Sequence, residues 1–130
     1  VHDGVIYLIY SGSSVGIDYA TGLATAPAGV GADLLDPAVW TKLDYPLQKS
    51  GVYNGAWQLG TGHGMWSHDE DGNLIYVFHA AEYEDGAYGG RDAQVRRVHW
   101  AADGMPVLDM QADEELDPAY REVTMTIVVD

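Results

Sequence analysis

Two apolar runs set the pattern of this chain. Val5-Ile6-Tyr7-Leu8-Ile9-Tyr10-Ser11 is β-branched and aromatic and is entered through the turn His2-Asp3-Gly4. Roughly 70 positions later, Asp71-Gly72-Asn73 leads into Leu74-Ile75-Tyr76-Val77-Phe78-His79-Ala80, an echo of the first run. A repeat of this kind marks an architecture built from similar units. β-branched and aromatic residues between turn signals predict strands. The expected strands cover residues 5–11, 19–26, 74–80 and 92–100. A third Asp-Gly, Asp103-Gly104, precedes Met105-Pro106-Val107-Leu108. No stretch keeps the 3.6-residue period of a helix. Asp36-Pro37-Ala38-Val39-Trp40 predicts one helical turn, with Asp36 as N-cap and Pro37 at its first position. Pro46 argues against a central strand between residues 41 and 47. Residues 50–62 read as loop, ending in the glycine-rich stretch Gly60-Thr61-Gly62-His63-Gly64.

Units of turn, strand, loop and strand build radial arrays of small antiparallel sheets. The expected fold is therefore all-β, two four-stranded antiparallel sheets divided near residue 55 in a partial β-propeller. Propellers close with about four to eight blades, so two blades leave open sheet edges. Missing blades or another copy of the chain are expected to cover them. Residues 1–110 form this body. Residues 111–130 read as an acidic linker, with Asp113-Glu114-Glu115-Leu116-Asp117-Pro118, and a strand over 121–130 that closes the propeller or begins a further β domain.

Composition narrows the partners. The apolar fraction, 47%, suits a packed core. Net charge is −14, from 20 acids against six Lys and Arg, which removes the cationic footprint that nucleic acid needs. Anionic membrane surfaces are disfavoured in the same way. No apolar run approaches the ~20 residues of a membrane span. Nine Tyr and four Trp against one Phe lean toward half-buried aromatic positions and sugar-contacting surfaces. A neutral ligand such as a sugar, or a divalent cation, fits this balance. There is no cysteine, hence no thiolate site. The chain begins at Val1 without Met, so its natural start is expected upstream, and its localisation stays open.

His63 is the first candidate for chemistry. Three glycines around one histidine suggest either unusual dihedrals and a close approach by another group, or a plain turn with an exposed side chain. Arg91, after Gly89-Gly90, is the second, in a chain poor in cations; a surface salt bridge is its ordinary alternative. His79 sits in an apolar strand, where a hydrogen-bonded core histidine is the commoner role. Arg96 and Arg97 point to opposite faces of one strand. His2, His68 and His99 receive no role. Asp69-Glu70-Asp71-Gly72 is ordinary turn chemistry and not a carboxylate pair. Glu82-Tyr83-Glu84-Asp85-Gly86 reads as a solvated loop. An acidic calcium-binding β-module is a further, weaker reading of the charge.

The order of several motifs resembles the later part of family 43 glycoside hydrolases, near the arabinofuranosidase and xylosidase members. The motifs are the Asp3–Ser11 run, Tyr19-Ala20-Thr21-Gly22-Leu23-Ala24-Thr25-Ala26, Asp36-Pro37-Ala38-Val39-Trp40-Thr41, Gly60-Thr61-Gly62-His63, Tyr76-Val77-Phe78-His79-Ala80, Gly90-Arg91, and His99-Trp100 with Asp103-Gly104 and Pro106-Val107. The resemblance spans roughly residues 1–110. It implies a five-bladed propeller, of which this chain holds about two blades. It implies inverting hydrolysis of arabinose- or xylose-containing polysaccharides: arabinan, arabinoxylan or xylan. The family's base, orienting and acid carboxylates would all lie upstream of Val1, so no catalytic residue is assigned here and the chain alone is expected to be inactive. His63 matches the histidine that points into the channel, often beside calcium or its waters, which makes it a candidate substrate and metal contact and calcium a candidate ligand. Arg91 matches the arginine facing the first sugar subsite. One departure is that Gly64-Met65 follows His63 where the family commonly has Asn-Ser. The alternative is a carbohydrate-binding or structural β-propeller without catalysis.

Overall fold

The structure, a computed structural model, describes residues 1–84, 87–111, 113–114, 124 and 126–128. All strand pairing among them is antiparallel. The first sheet has the order β1-β2-β3, from Val5–Gly12, Ala20–Pro27 and Thr41–Lys42. Asp3 and Gly4 both take positive φ, 45° and 75°, between the paired residues His2 and Val5. This is the backbone that a tight Asp-Gly turn provides and that most residue pairs resist. β1 and β2 run in register from Val5 opposite Pro27 to Gly12 opposite Ala20. The helical turn forms as the sequence predicts: a 3₁₀ turn over Pro37–Val39, with the Asp36 carboxylate accepting from the Ala38 N–H.

The second sheet has the order β4-β5-β6-β7, from Gly51–Tyr53, Ala56–His68, Leu74–Glu84 and Ala87–Arg97. A two-stranded ribbon of β8, His99–Trp100, and β9, Pro106–Val107, follows. Two expectations of the sequence are corrected here. The first sheet has three strands rather than four, because Pro46 interrupts the chain after β3. The return path pairs with β2 only at the single bridge Thr21 to Gln48. The division accordingly falls between Lys42 and Gly51, not at 55. Residues 50–62 are not loop: Asn54 and Gly55, both at positive φ, close a tight hairpin from β4 into the long strand β5.

The glycine-rich stretch is thus strand interior. It stays in the ladder because β5 carries two bulges against β6, one between Leu59 and Gly62 and one between Gly62 and Met65. Gly60 and His63 lie within them at φ 55° and 54°, each in the left-handed region. A bulge adds a residue to one strand and turns its side chain away from the regular pleat. Gly62 and Gly64 are explained by packing. A Cβ on Gly62 would sit 2.5 Å from Cε1 of Tyr19, and one on Gly64 would run into the Tyr76 ring. The close approach that clustered glycines imply is real, but the approaching groups are two tyrosines of the protein itself.

Tyr76, Phe78, Ala80, Val98 and Leu108 form the core, with Ile9, Leu47, Trp66, Leu74 and Trp100 packed around them. Residues 76, 78 and 80 share one face of β6, as the two-residue period of a strand requires. The seam between the sheets is hydrogen-bonded as well as packed. Tyr76 Oη lies 2.6 Å from Thr21 Oγ1, the Trp66 indole N–H donates to the Tyr7 carbonyl, and the His63 backbone N–H donates to Ser11 Oγ. These bonds fix β5 against β1 and β6 against β2. The expected strand over 121–130 falls largely outside the described residues.

Candidate functional site

The site is built where β5, β6 and β7 meet the loop before β2. Gly62 of β5 pairs with His79 of β6, and Ala81, two residues along β6, pairs with Arg91 of β7. Arg91 falls between the expected strands 74–80 and 92–100, which leaves it in the connecting loop. It lies instead within β7, because the β6–β7 ladder shifts register between Ala81 and Glu82, so that Gly90, at φ 58°, is passed over. β6 likewise continues through Glu84, so Glu82 to Glu84 is strand and not the solvated loop expected. Residues two apart on one strand share a face, so Arg91 stands diagonally across from His79 and within reach of it. Its Nη1 lies 3.3 Å from His79 Nε2.

Two further rings complete the cluster. The His63 ring centroid is 6.0 Å from that of His79, and the Tyr19 ring stacks on His79 at 5.7 Å and 22°. Tyr19 is buried, His79 half-buried, and His63 and Arg91 are exposed. The structure therefore brings the two sequence candidates, His63 and Arg91, to either side of a third residue. Burial lowers the His79 pKa, and the charge of Arg91 and the proximity of His63 lower it further. A neutral imidazole is the result at neutral pH. A guanidinium only donates, so Nε2 accepts and the ring proton sits on Nδ1. Nδ1 is buried, with no hydrogen-bond partner among the described residues.

The remaining charged residues sort as their patterns imply. Asp69 is a turn residue: Oδ1 accepts from the backbone N–H groups of Asp71 and Asn73, and Oδ2 from Asn73 Nδ2. Arg97 donates to Asn73 Oδ1 on one face of β7. Arg96, on the other, is buried between the rings of Tyr53 and Phe78 and donates to the Leu108 carbonyl and to Gln58. His2 stacks on Trp100 at 3.7 Å. The cluster does not fit calcium from this chain's own residues. Calcium takes about six to eight oxygen ligands. The cluster offers two imidazoles, a guanidinium and a phenol. Among the described residues no group of three or more His, Asp or Glu could hold a metal.

The pattern described as glycosyl hydrolases family 43 matches residues 1–106. The chain belongs to glycosyl hydrolases family 43. It is similar to an extracellular exo-alpha-(1->5)-L-arabinofuranosidase of Streptomyces avermitilis, 33% identical over 123 residues, which cover 90% of this chain and 25% of that protein. Among solved structures it is similar to an alpha-L-arabinofuranosidase from Lactobacillus brevis, with TM-score 0.70 and 33% identity over 82% of this chain and 34% of that one. A xylan beta-1,4-xylosidase from Bacillus halodurans shares the fold, with TM-score 0.65 and 22% identity over 100% of this chain and 23% of that one. The all-β fold is accordingly part of a family 43 propeller. The chain spans about a quarter of the length of the curated relatives it matches.

The sequence singles out His63 and Arg91 as candidates, gives His79 to the core and places Tyr19 only in a strand. The period-two pattern held a signal. Residues 76, 78 and 80 are the buried face, which puts His79 with Ile75 and Val77 on the other. A histidine there is aimed away from the main core.

Proposed function

We propose that the protein containing this chain is a glycosidase acting on arabinose- or xylose-containing polysaccharides, and that this chain lines its first sugar subsite with His63 and Arg91. The observation that carries this reading is their convergence on His79 at one place in the second sheet, the only two positions of the chain that the family resemblance gives a site role. A pentose is neutral and rich in hydroxyls. A guanidinium offers several N–H donors in a fixed fork and stays charged at any working pH, so it can bind neighbouring hydroxyls. It also favours the ionised form of a nearby carboxylate, which suits a general base.

Inverting hydrolysis needs two carboxyl groups roughly 6.5–9.5 Å apart, one ionised and one protonated. The ionised one takes a proton from water as the water oxygen attacks the anomeric carbon. The protonated one gives its proton to the departing glycosidic oxygen. Both are assigned to segments outside this chain, in keeping with the resemblance. A calcium ion near His63 belongs to this proposal only with oxygen ligands from those segments. Calorimetry of the 130-residue chain with calcium is therefore expected to show no specific binding.

The test is proton NMR of the full-length protein acting on an aryl arabinofuranoside and an aryl xyloside. The expected result is release of pentose whose first-formed anomer is inverted. A retained first anomer would contradict the mechanism, and no pentose release from these or from arabinan and xylan would contradict the enzyme reading.

A further inference from the structure

We propose that His79 is a positioning residue for Arg91, and that Tyr19 holds His79 in place from across the seam between the two sheets. This rests on the reading of Arg91 as a sugar contact and adds the means by which its guanidinium is held ready.

An arginine side chain carries much rotamer freedom, and a binding group that is already ordered loses less of it when the ligand arrives. Arg91 is exposed, so packing alone does not order it. Its Nη1 instead meets the lone pair of His79 Nε2 at 3.3 Å, a length that leaves room to tighten in a complex. His79 is fixed in turn. Its backbone pairs with Gly62, and the Tyr19 ring packs over that glycine and stacks on the His79 ring. Any side chain at position 62 would displace Tyr19 and remove the backing of His79. The groups facing His79 are Tyr19 from the loop before β2, His63 from β5 and Arg91 from β7. Arg91 is the cation among them, and the imidazole lone pair is the acceptor offered to it. A histidine kept for packing alone would not need to aim that lone pair at an exposed arginine.

The test is a double-mutant cycle on kcat/KM in the full-length enzyme, with melting temperatures measured alongside. His79→Phe keeps a ring for Tyr19 and removes the acceptor. His79→Gln can place Oε1 near the position of Nε2. His79→Asn is too short to do so. The expected result is a loss of about tenfold for Phe and for Asn, with Gln within about threefold of the parent. In an Arg91→Ala background, His79→Phe should change kcat/KM by less than twofold, because the group it positions is gone. Tyr19→Leu should follow the same pattern. Equal losses from His79→Phe in both backgrounds would make His79 a structural residue and overturn the proposal. So would near-normal kinetics of His79→Phe where Arg91→Ala is impaired, which would leave the Arg91 subsite intact. Normal kinetics of Arg91→Ala itself would remove the subsite reading and this proposal with it. Should the Phe variant not fold, the contrast of Gln with Asn decides alone: equal activity of the two overturns the proposal.

Discussion

Gly62 and Gly64 are glycines for the sake of packing. Neither has the positive φ that would demand glycine; both are small because a tyrosine ring lies against them. Tyr76 is wholly buried and its hydroxyl is tied to Thr21, so it cannot yield. Gly64→Ala is therefore expected to cost about 1–3 kcal/mol by overpacking, seen as a lower melting temperature of the full-length protein. Gly12→Ala, with open space around its Cβ and ordinary φ, is the control and should leave stability unchanged or slightly raised. Equal melting of the two variants would contradict the ring-packing account. The same residues mark what the sequence could and could not disclose about the site. His63 and Arg91 stood out as candidates by their glycine neighbours and by the motif order. The identity of the approaching groups was not legible, because Tyr19 lies 43 positions before Gly62 and only the seam between sheets brings them together. Nor was the cause of the left-handed φ at His63, which follows from a register shift between two strands.

At the level of elements, the strands with β-branched and aromatic residues were legible almost to their ends: β1, β2 and the start of β6 coincide with the predicted runs. β5 was not, because Gly60, Gly62 and Gly64 read as a breaker while their function is to admit rings and bulges. The Asn54-Gly55 pair that opens β5 is a strong hairpin signal and would have exposed the strand. The β5–β6 turn gives a pH-dependent prediction. Asn73, chiefly through its side chain, holds the Asp69 carboxyl below its ordinary pKa. A carboxyl lowered in the folded state contributes stability that is full above its unfolded value, about pH 4, and is lost as pH falls through the folded value. Asp69→Asn should therefore melt below the parent at pH 6–7, and the two should converge as pH falls through the lowered folded value. A gap that stays constant from pH 7 to pH 2 would show that the charge of Asp69 plays no part in the turn. Asn73→Ala should lower the melting temperature as well, since it also removes the hydrogen bond that Asn73 accepts from Arg97 at the end of β7.

At the scale of the molecule, two blades present faces that a ring would cover. Met65, Val77 and Val95 lie in one row across β5, β6 and β7, and Met65 and Val95 are exposed. The isolated chain is expected to self-associate through such faces, more strongly as salt screens its charge of −14. Light scattering should report species above the monomer mass, and Met65→Lys with Val95→Lys should return it toward the monomer. A monodisperse monomer at high salt would contradict this. The isolated chain should also lack glycosidase activity, since loss of even one acid or base typically removes about 10²–10⁴-fold. Turnover of an aryl arabinofuranoside by the purified chain would place the catalytic acids inside it. The central claim is that this chain supplies a sugar contact to a family 43 glycosidase, and Arg91→Ala in the full-length enzyme tests it most directly. The account predicts a fall in kcat/KM on the order of 10²-fold, about 2.7 kcal/mol of transition-state binding. Arg91→Lys should rescue it only partly, because a point charge lacks the fork, and Arg121→Ala, outside the matched residues 1–106, should change little. Near-normal kcat/KM for Arg91→Ala, with a melting temperature several degrees lower, would make the arginine a structural partner and contradict the account.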